Sequence, residues 1–140
     1  MTVQMVLLPV FMLVLLSFIL MFRTFMVRTA ALKNREVRIS QIALGQDAWP
    51  QRATLVGRSY ESQFELPVLF YVLIALALPL RQADLLTVLL SWVFVVLRYV
   101  HAGIHTTTND MRYRFSAFAA GGVVLLIMWI YFALKLLLAI

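Results

Sequence analysis

Four long apolar segments constrain the fold of this chain more than any other feature. Hydrophobic residues make up 64% of its 140 residues and charged residues only 13%, and the mean hydropathy is +0.94. A water-soluble domain of this size needs more polar residues to cover its surface, so this composition indicates a polytopic membrane protein. The apolar runs are Met5–Phe22, Leu66–Leu80, Leu85–Val100 and Phe115–Ile140, the last interrupted only by Lys135.

These runs predict an all-α, up-down bundle of four membrane helices in a single domain, residues 1–140. Crossing the hydrocarbon core takes about 20 helical residues, so the middle two runs reach that length only with their polar ends. With those ends, the predicted spans cover residues 5–28, 52–80, 84–105 and 112–139. Short turns after the second and third runs make successive helices antiparallel neighbours. Asp84 is the candidate N-cap of the third helix.

Basic residues are concentrated around the first connection, and this sets the expected orientation in the membrane. The residues concerned are Arg23, Arg28, Lys33, Arg35, Arg38, Arg52 and Arg58. Because basic loops stay cytoplasmic, we expect both termini to be non-cytoplasmic. Anionic lipid headgroups account for these charges, and the loop lacks the interleaved aromatic residues of a nucleic-acid site. The chain has no cysteine, which excludes disulfides, thiolate nucleophiles and cysteine-based metal sites.

A first group of polar residues opens the second span. Arg58, Ser62 and Glu65 are spaced i, i+4 and i+7, so we expect them to share one helical face, with Glu61 at its edge. Ionisable side chains at membrane depth are costly, and by default they mark a site that faces the protein interior or a water-filled cavity. We therefore expect a site near this cytoplasmic end of the bundle.

A second group closes the third span. Arg98, His101 and His105 are spaced i, i+3 and i+7 on one helical face. In an antiparallel bundle this face lies at the same depth as the first group. Arg112 and Arg114 begin the fourth helix at that level as well. The sequence thus predicts one layer of charged and polar side chains contributed by three helices.

Three interpretations of this layer are open. The charges could form purely structural ion pairs, since buried charges are normally paired. His101 and His105 have the i, i+4 spacing of metal ligands, but the chain has only these 2 histidines and we expect no metal site. The third is a zwitterionic ligand, because Arg binds carboxylates in bidentate fashion, Glu binds an ammonium group, and positive charge favours a thiolate. Glutathione has all these groups, although other zwitterions also suit the layer.

The two groups resemble motifs of the MAPEG family, the membrane-associated proteins of eicosanoid and glutathione metabolism. Family members carry Arg-x3-Asn-x2-Glu followed closely by Pro, and this chain has Arg58-x3-Ser62-x2-Glu65-x-Pro67. The stretch Gln63–Tyr71 is similar to the bacterial branch. The family's second motif has an Arg late in the third helix, His or Tyr on the following turns, and an Arg opening the fourth. The matching residues are Arg98, His101, His105 and Arg114.

The resemblance implies a homotrimer of four-helix bundles that holds glutathione, as a co-substrate, between subunits near the cytoplasmic face. Its implied catalytic residue is Arg114, which would stabilise the thiolate. The implied glutathione-binding residues are Arg58, Ser62, Glu65, Arg98 and His105. Ser62 and His105 stand where the family has Asn and Tyr, which argues against a specialised eicosanoid synthase.

The implied activity is that of a membrane-bound glutathione transferase or peroxidase acting on lipophilic electrophiles that arrive from the bilayer. Such an enzyme works mainly by stabilising the thiolate and by proximity. The alternative is a catalytically silent membrane protein of the same fold that binds a lipid or a partner protein.

Overall fold

A computed structural model describes residues 2–35, 51–106 and 111–138, except for the side chains of residues 51, 52, 105, 106 and 111. All regular structure in these ranges is helical, which confirms the predicted fold class. The helices are α1 (Val3–Lys33), α2 (Gln51–Glu61), α3 (Leu66–Ala77), α4 (Leu85–Thr106) and α5 (Met111–Leu138), with a 3-10 turn, Ser62–Phe64, between α2 and α3. Four helical segments in the described ranges are long and apolar enough to cross a membrane: Val3–Lys33, Ala53–Ala77, Leu85–Ile104 and Arg112–Leu138.

The helices pack around one apolar core. Helix α4 packs against α5 and α1, α1 packs against α2, and α3 packs against α5. In the core, the rings of Phe70 and Phe94 stack with their centroids 5.1 Å apart, and the buried Leu13 and Leu125 belong to the same apolar cluster. Large apolar side chains also cover the outside of the bundle, as at Phe22. That exterior suits lipid or another apolar surface, as expected for membrane helices.

A break between α2 and α3 positions the residues of the first polar group. Pro67 has no N–H with which to continue the helix to the carbonyl of Gln63, and its ring would clash with that carbonyl. The chain tightens into the 3-10 turn, and the backbone of Glu65 leaves the helical region, with φ −99° and ψ −102°. The uninterrupted helical period that we assumed for Arg58, Ser62 and Glu65 therefore does not hold across this segment.

The turn between α3 and α4 is closed by a network around Asp84. One carboxylate oxygen accepts hydrogen bonds of 3.0 Å from both the N–H and the hydroxyl of Thr87, which confirms Asp84 as the N-cap of α4. The other oxygen accepts from Tyr131 and, at 2.8 Å, from Lys135 Nζ. Lys135 Nζ also donates to the carbonyl of Gln82. Lys135, the charged residue within the last apolar run, is thus paired with the turn between α3 and α4.

We expect Asp84→Asn to lower the free energy of unfolding at neutral pH by about 1 kcal/mol, because Asn keeps the cap oxygen but loses the charge. The figure is modest because Asp84 and Lys135 are each about a third exposed and water screens the pair. Thermal unfolding of the purified protein measures the change. Asp84→Ala, which also removes the cap, should lose about 1 kcal/mol more.

The same pair predicts a pH dependence. Partial burial alone would raise the pKa of the Asp84 carboxyl, but hydrogen bonds from Lys135, Tyr131 and Thr87 outweigh it and hold that pKa well below 3.8. A lowered folded-state pKa gives stability that is present above the unfolded pKa and is lost as the pH falls. The gap between wild type and Asp84→Asn should therefore shrink below about pH 4. A gap that widens towards acid would contradict this assignment.

Candidate functional site

A cavity of about 230 Å³ opens between the 3-10 turn, α4 and α5. It brings together three of the predicted site residues: Ser62 and Glu65, at the two ends of the 3-10 turn, and Arg114 of α5. The full lining is Ser62, Glu65, His101, Arg114, Phe115 and Phe118. The cavity therefore joins a carboxylate, a guanidinium and an imidazole to two phenylalanine rings.

Arg98 lies directly behind this cavity and is held by Ser62. Its side chain is in the core of the bundle, with the residue only 1% exposed. Arg98 Nη2 donates to the hydroxyl of Ser62 at 2.9 Å and to the carbonyl of Ser62 at 3.2 Å. The Ser62 hydroxyl in turn donates to the carbonyl of Ser59 at 2.6 Å. Since its proton is used in this way, Ser62 faces the cavity chiefly as an acceptor and as the residue that positions Arg98.

Among the described residues, only part of the Arg98 guanidinium is hydrogen-bonded. Its Nε and Nη1 atoms are buried and have no hydrogen-bond partner there. The Glu65 carboxylate attracts the guanidinium electrostatically. A buried cation is costly unless it is paired, so the Arg98 charge favours an anionic group nearby.

Glu65 and Arg114 supply opposite charges at the cavity itself. Glu65 is exposed where the chain enters α3, at the helix N-terminus, which favours a negative charge. Arg114 is half-buried in the first turns of α5. A cavity with a carboxylate and a guanidinium is suited to a ligand that carries both an ammonium group and an anion.

His101 is the lining residue that the sequence left without a role. It is 4% exposed, and its ring centroid lies 5.9 Å from that of Phe118. The i+3 spacing from Arg98 was the available signal, since that spacing puts both residues on one face of α4. Phe115 and Phe118 were also missed, although they follow Arg114 on α5 at positions i+1 and i+4.

Other predicted residues lie elsewhere. Arg58 is exposed on α2 and is not among the residues lining the cavity. His105 belongs to the last turn of α4, but its side chain lies outside the described residues. Within the side chains that are described, no group of three or more His, Cys, Asp and Glu residues could hold a metal ion.

Comparison with known protein families identifies a family for this chain. The family model described as MAPEG family matches residues 6–134, which is nearly the whole chain. No curated protein and no solved structure matches the chain.

Proposed function

Because this chain belongs to the MAPEG family of multi-pass membrane proteins of glutathione and eicosanoid metabolism, we propose that it is a membrane-bound glutathione transferase with peroxidase-like capacity. Its second substrate would be a lipophilic electrophile that arrives through the bilayer. The observation that carries this proposal is the cavity in which Glu65, His101 and Arg114 meet beside the buried Arg98. These residues provide the charges that a tripeptide thiol with two carboxylates and one ammonium group requires.

The proposed chemistry uses the positive charge of Arg114 and Arg98. A free thiol has a pKa of about 8.5, and nearby cations lower this value and so favour the nucleophilic thiolate. Glu65 binds the ammonium group and orients the peptide. The thiolate sulfur then forms a bond to the electrophilic carbon, the leaving group departs with its electron pair, and the thiol proton goes to solvent.

A neighbouring subunit would complete the site. The cavity of about 230 Å³ is smaller than the roughly 300–1,000 Å³ of sites that enclose small ligands. We therefore propose that glutathione lies between subunits of a homotrimer, with one part of it in this cavity. In that arrangement Arg58, which is exposed on α2, and His105 contact glutathione from outside the cavity.

The purified protein tests the proposal directly. We expect glutathione to raise its unfolding temperature in a saturable manner, because a ligand that binds only the folded state stabilises that state. We also expect conjugation of glutathione to a chloronitrobenzene electrophile, with release of chloride. A folded protein that shows neither effect would contradict the proposal and favour the alternative, a catalytically silent membrane protein of the same fold. That alternative is supported by the Ser62 hydroxyl, because its proton is already donated to the carbonyl of Ser59 and it has no second hydrogen to donate to a ligand.

Glu65→Gln should weaken glutathione binding about tenfold, because it removes the charge partner of the ammonium group. The effect should appear mainly in KM for glutathione, with kcat much less affected. The matched control is Glu61→Gln, which removes an exposed carboxylate that lines a different cavity. Equal effects of the two variants on KM would remove Glu65 from the proposed binding residues.

A further inference from the structure

Gln63 is a buried amide whose hydrogen-bonding capacity is unused. The residue is 1% exposed, and neither its amide nitrogen nor its amide oxygen has a hydrogen-bond partner among the described residues. A buried polar group left without a partner costs about 1–3 kcal/mol. Such groups are rare in folded proteins and call for an explanation such as a bound ligand or water.

The amide borders a cavity of about 330 Å³ between α1 and the segment that joins α2 to α3. This cavity is separate from the proposed glutathione site, but the two share the 3-10 turn, since Ser62 lines one and Gln63 lines the other. Its lining consists of Val14, Ser17, Phe18, Met21, Tyr60, Gln63, Phe64 and Tyr71. The wall is therefore mainly apolar, with one amide and three hydroxyl groups.

The cavity opens towards the apolar exterior of the bundle. Phe18 is 52% exposed and Phe64 is 60% exposed, and both lie in segments able to cross the membrane. Among the described residues that line this cavity, none has an acidic or basic side chain. A charged group placed here would lose its hydration without gaining an ion-pair partner in the wall, which is costly. The walls thus favour an uncharged occupant from the membrane.

We propose that this cavity binds an uncharged single-chain lipid whose headgroup carries both a hydrogen-bond donor and an acceptor, as a primary fatty amide does. The headgroup pairs with the amide of Gln63, and the chain lies along Phe18 and Phe64. A single chain fits better than a phospholipid, because the volume is at the low end of ligand cavities. This binding goes beyond the proposed transferase function and does not require glutathione.

Photolabelling tests the proposal without glutathione present. The probe is a fatty primary amide with a diazirine in its chain, applied to the full-length protein in vesicles and followed by peptide mass spectrometry. We expect saturable labelling at α1 and α2, near Phe18 and Tyr60, that unlabelled fatty amide displaces. Gln63→Leu should weaken this labelling about tenfold, because it removes the paired amide at nearly equal size.

Two controls make the result specific. Gln82→Leu replaces a glutamine in the α3–α4 turn and should leave the labelling unchanged. A trimethylammonium probe with the same chain should label the cavity far less than the amide does. Gln63→Leu should also keep or raise the unfolding temperature of the ligand-free protein, because it removes an unpartnered buried amide.

Three results would overturn the proposal. One is labelling spread evenly over the outer faces of α1 and α5 and unaffected by Gln63→Leu. Another is equal labelling by the ammonium probe. The last is absence of saturable labelling in the wild-type protein; if Gln63→Leu then also dissociates an oligomer, a second copy of the chain occupies the cavity. Each is distinguishable from failure of the transferase proposal, which glutathione binding and turnover decide separately.

Discussion

Arg114→Leu is expected to lower kcat/KM for glutathione conjugation by about 100- to 1,000-fold, the usual effect of removing one group that stabilises developing negative charge. The guanidinium lines the cavity with Ser62, Glu65 and His101. Without it, more of the bound glutathione remains as the unreactive thiol at neutral pH. Most of the loss should therefore appear in kcat, and raising the pH should recover part of it, because more thiolate then forms without help.

Arg112→Leu is the matched control for this prediction. Arg112 lies two residues earlier on the same helix, is exposed, and is not among the residues lining the cavity. Its replacement should change kcat/KM less than about threefold while removing the same charge from the same helix end. Arg114→Lys keeps the charge without the planar fork and should retain intermediate activity. If Arg112→Leu and Arg114→Leu reduce activity equally, a general field of basic residues, and not Arg114, supports the reaction.

Ser62→Ala is expected to lower the free energy of unfolding by about 2 kcal/mol, because it removes a hydrogen bond to a buried charged group. Of the two acceptors that Ser62 offers to Arg98 Nη2, the carbonyl would remain and the hydroxyl would be lost. Titration with a denaturing detergent measures this change. Without the serine hydroxyl we expect the Arg98 guanidinium to change its orientation, and this should also weaken glutathione binding.

Ser59→Ala provides the control for this effect. Ser59 is fully buried three residues earlier, and its hydroxyl has no hydrogen-bond partner within the described part of the chain. Its replacement should leave stability within about 0.5 kcal/mol of wild type. In an Arg98→Met background, Ser62→Ala should cost much less, and the difference gives the coupling energy of the pair. Equal costs of Ser62→Ala with and without Arg98 would show that the serine does not hold the guanidinium.

The presence of four helices long enough to cross a membrane followed from the sequence, because hydrocarbon thickness sets a minimum apolar length. The N-cap role of Asp84 was also predictable, since a carboxylate just before an apolar run is a local signal. The pairing of Asp84 with Lys135 was not, because the two lie at opposite ends of the α4–α5 hairpin in the chain and meet only after packing. The interruption between α2 and α3 had a local signal in Pro67, which we read as part of a motif and not as a helix break.

The candidate site was predictable as a layer of residues but not as a set of contacts. Glu65 and Arg114 line one cavity as part of the expected layer, because antiparallel packing places the two helix ends at one depth. Helical spacing alone did not show that Ser62 would hold Arg98, or that His101 would face the cavity. Nothing in the sequence indicated that Gln63 would be buried without a partner, since that depends on how the 3-10 turn packs against α1. Which side chains come into contact depends on tertiary packing, and a single sequence does not reveal that packing.

The thiolate state of bound glutathione is the most direct measure of the central claim, that this cavity binds glutathione and ionises its thiol. Ultraviolet difference absorbance of the purified protein, titrated with glutathione at neutral pH, detects the thiolate. The predicted result is a saturable thiolate band that is present in wild type and Arg112→Leu and absent in Arg114→Leu. A folded wild-type protein that shows no saturable band, or a band of equal size in Arg114→Leu, would contradict the claim.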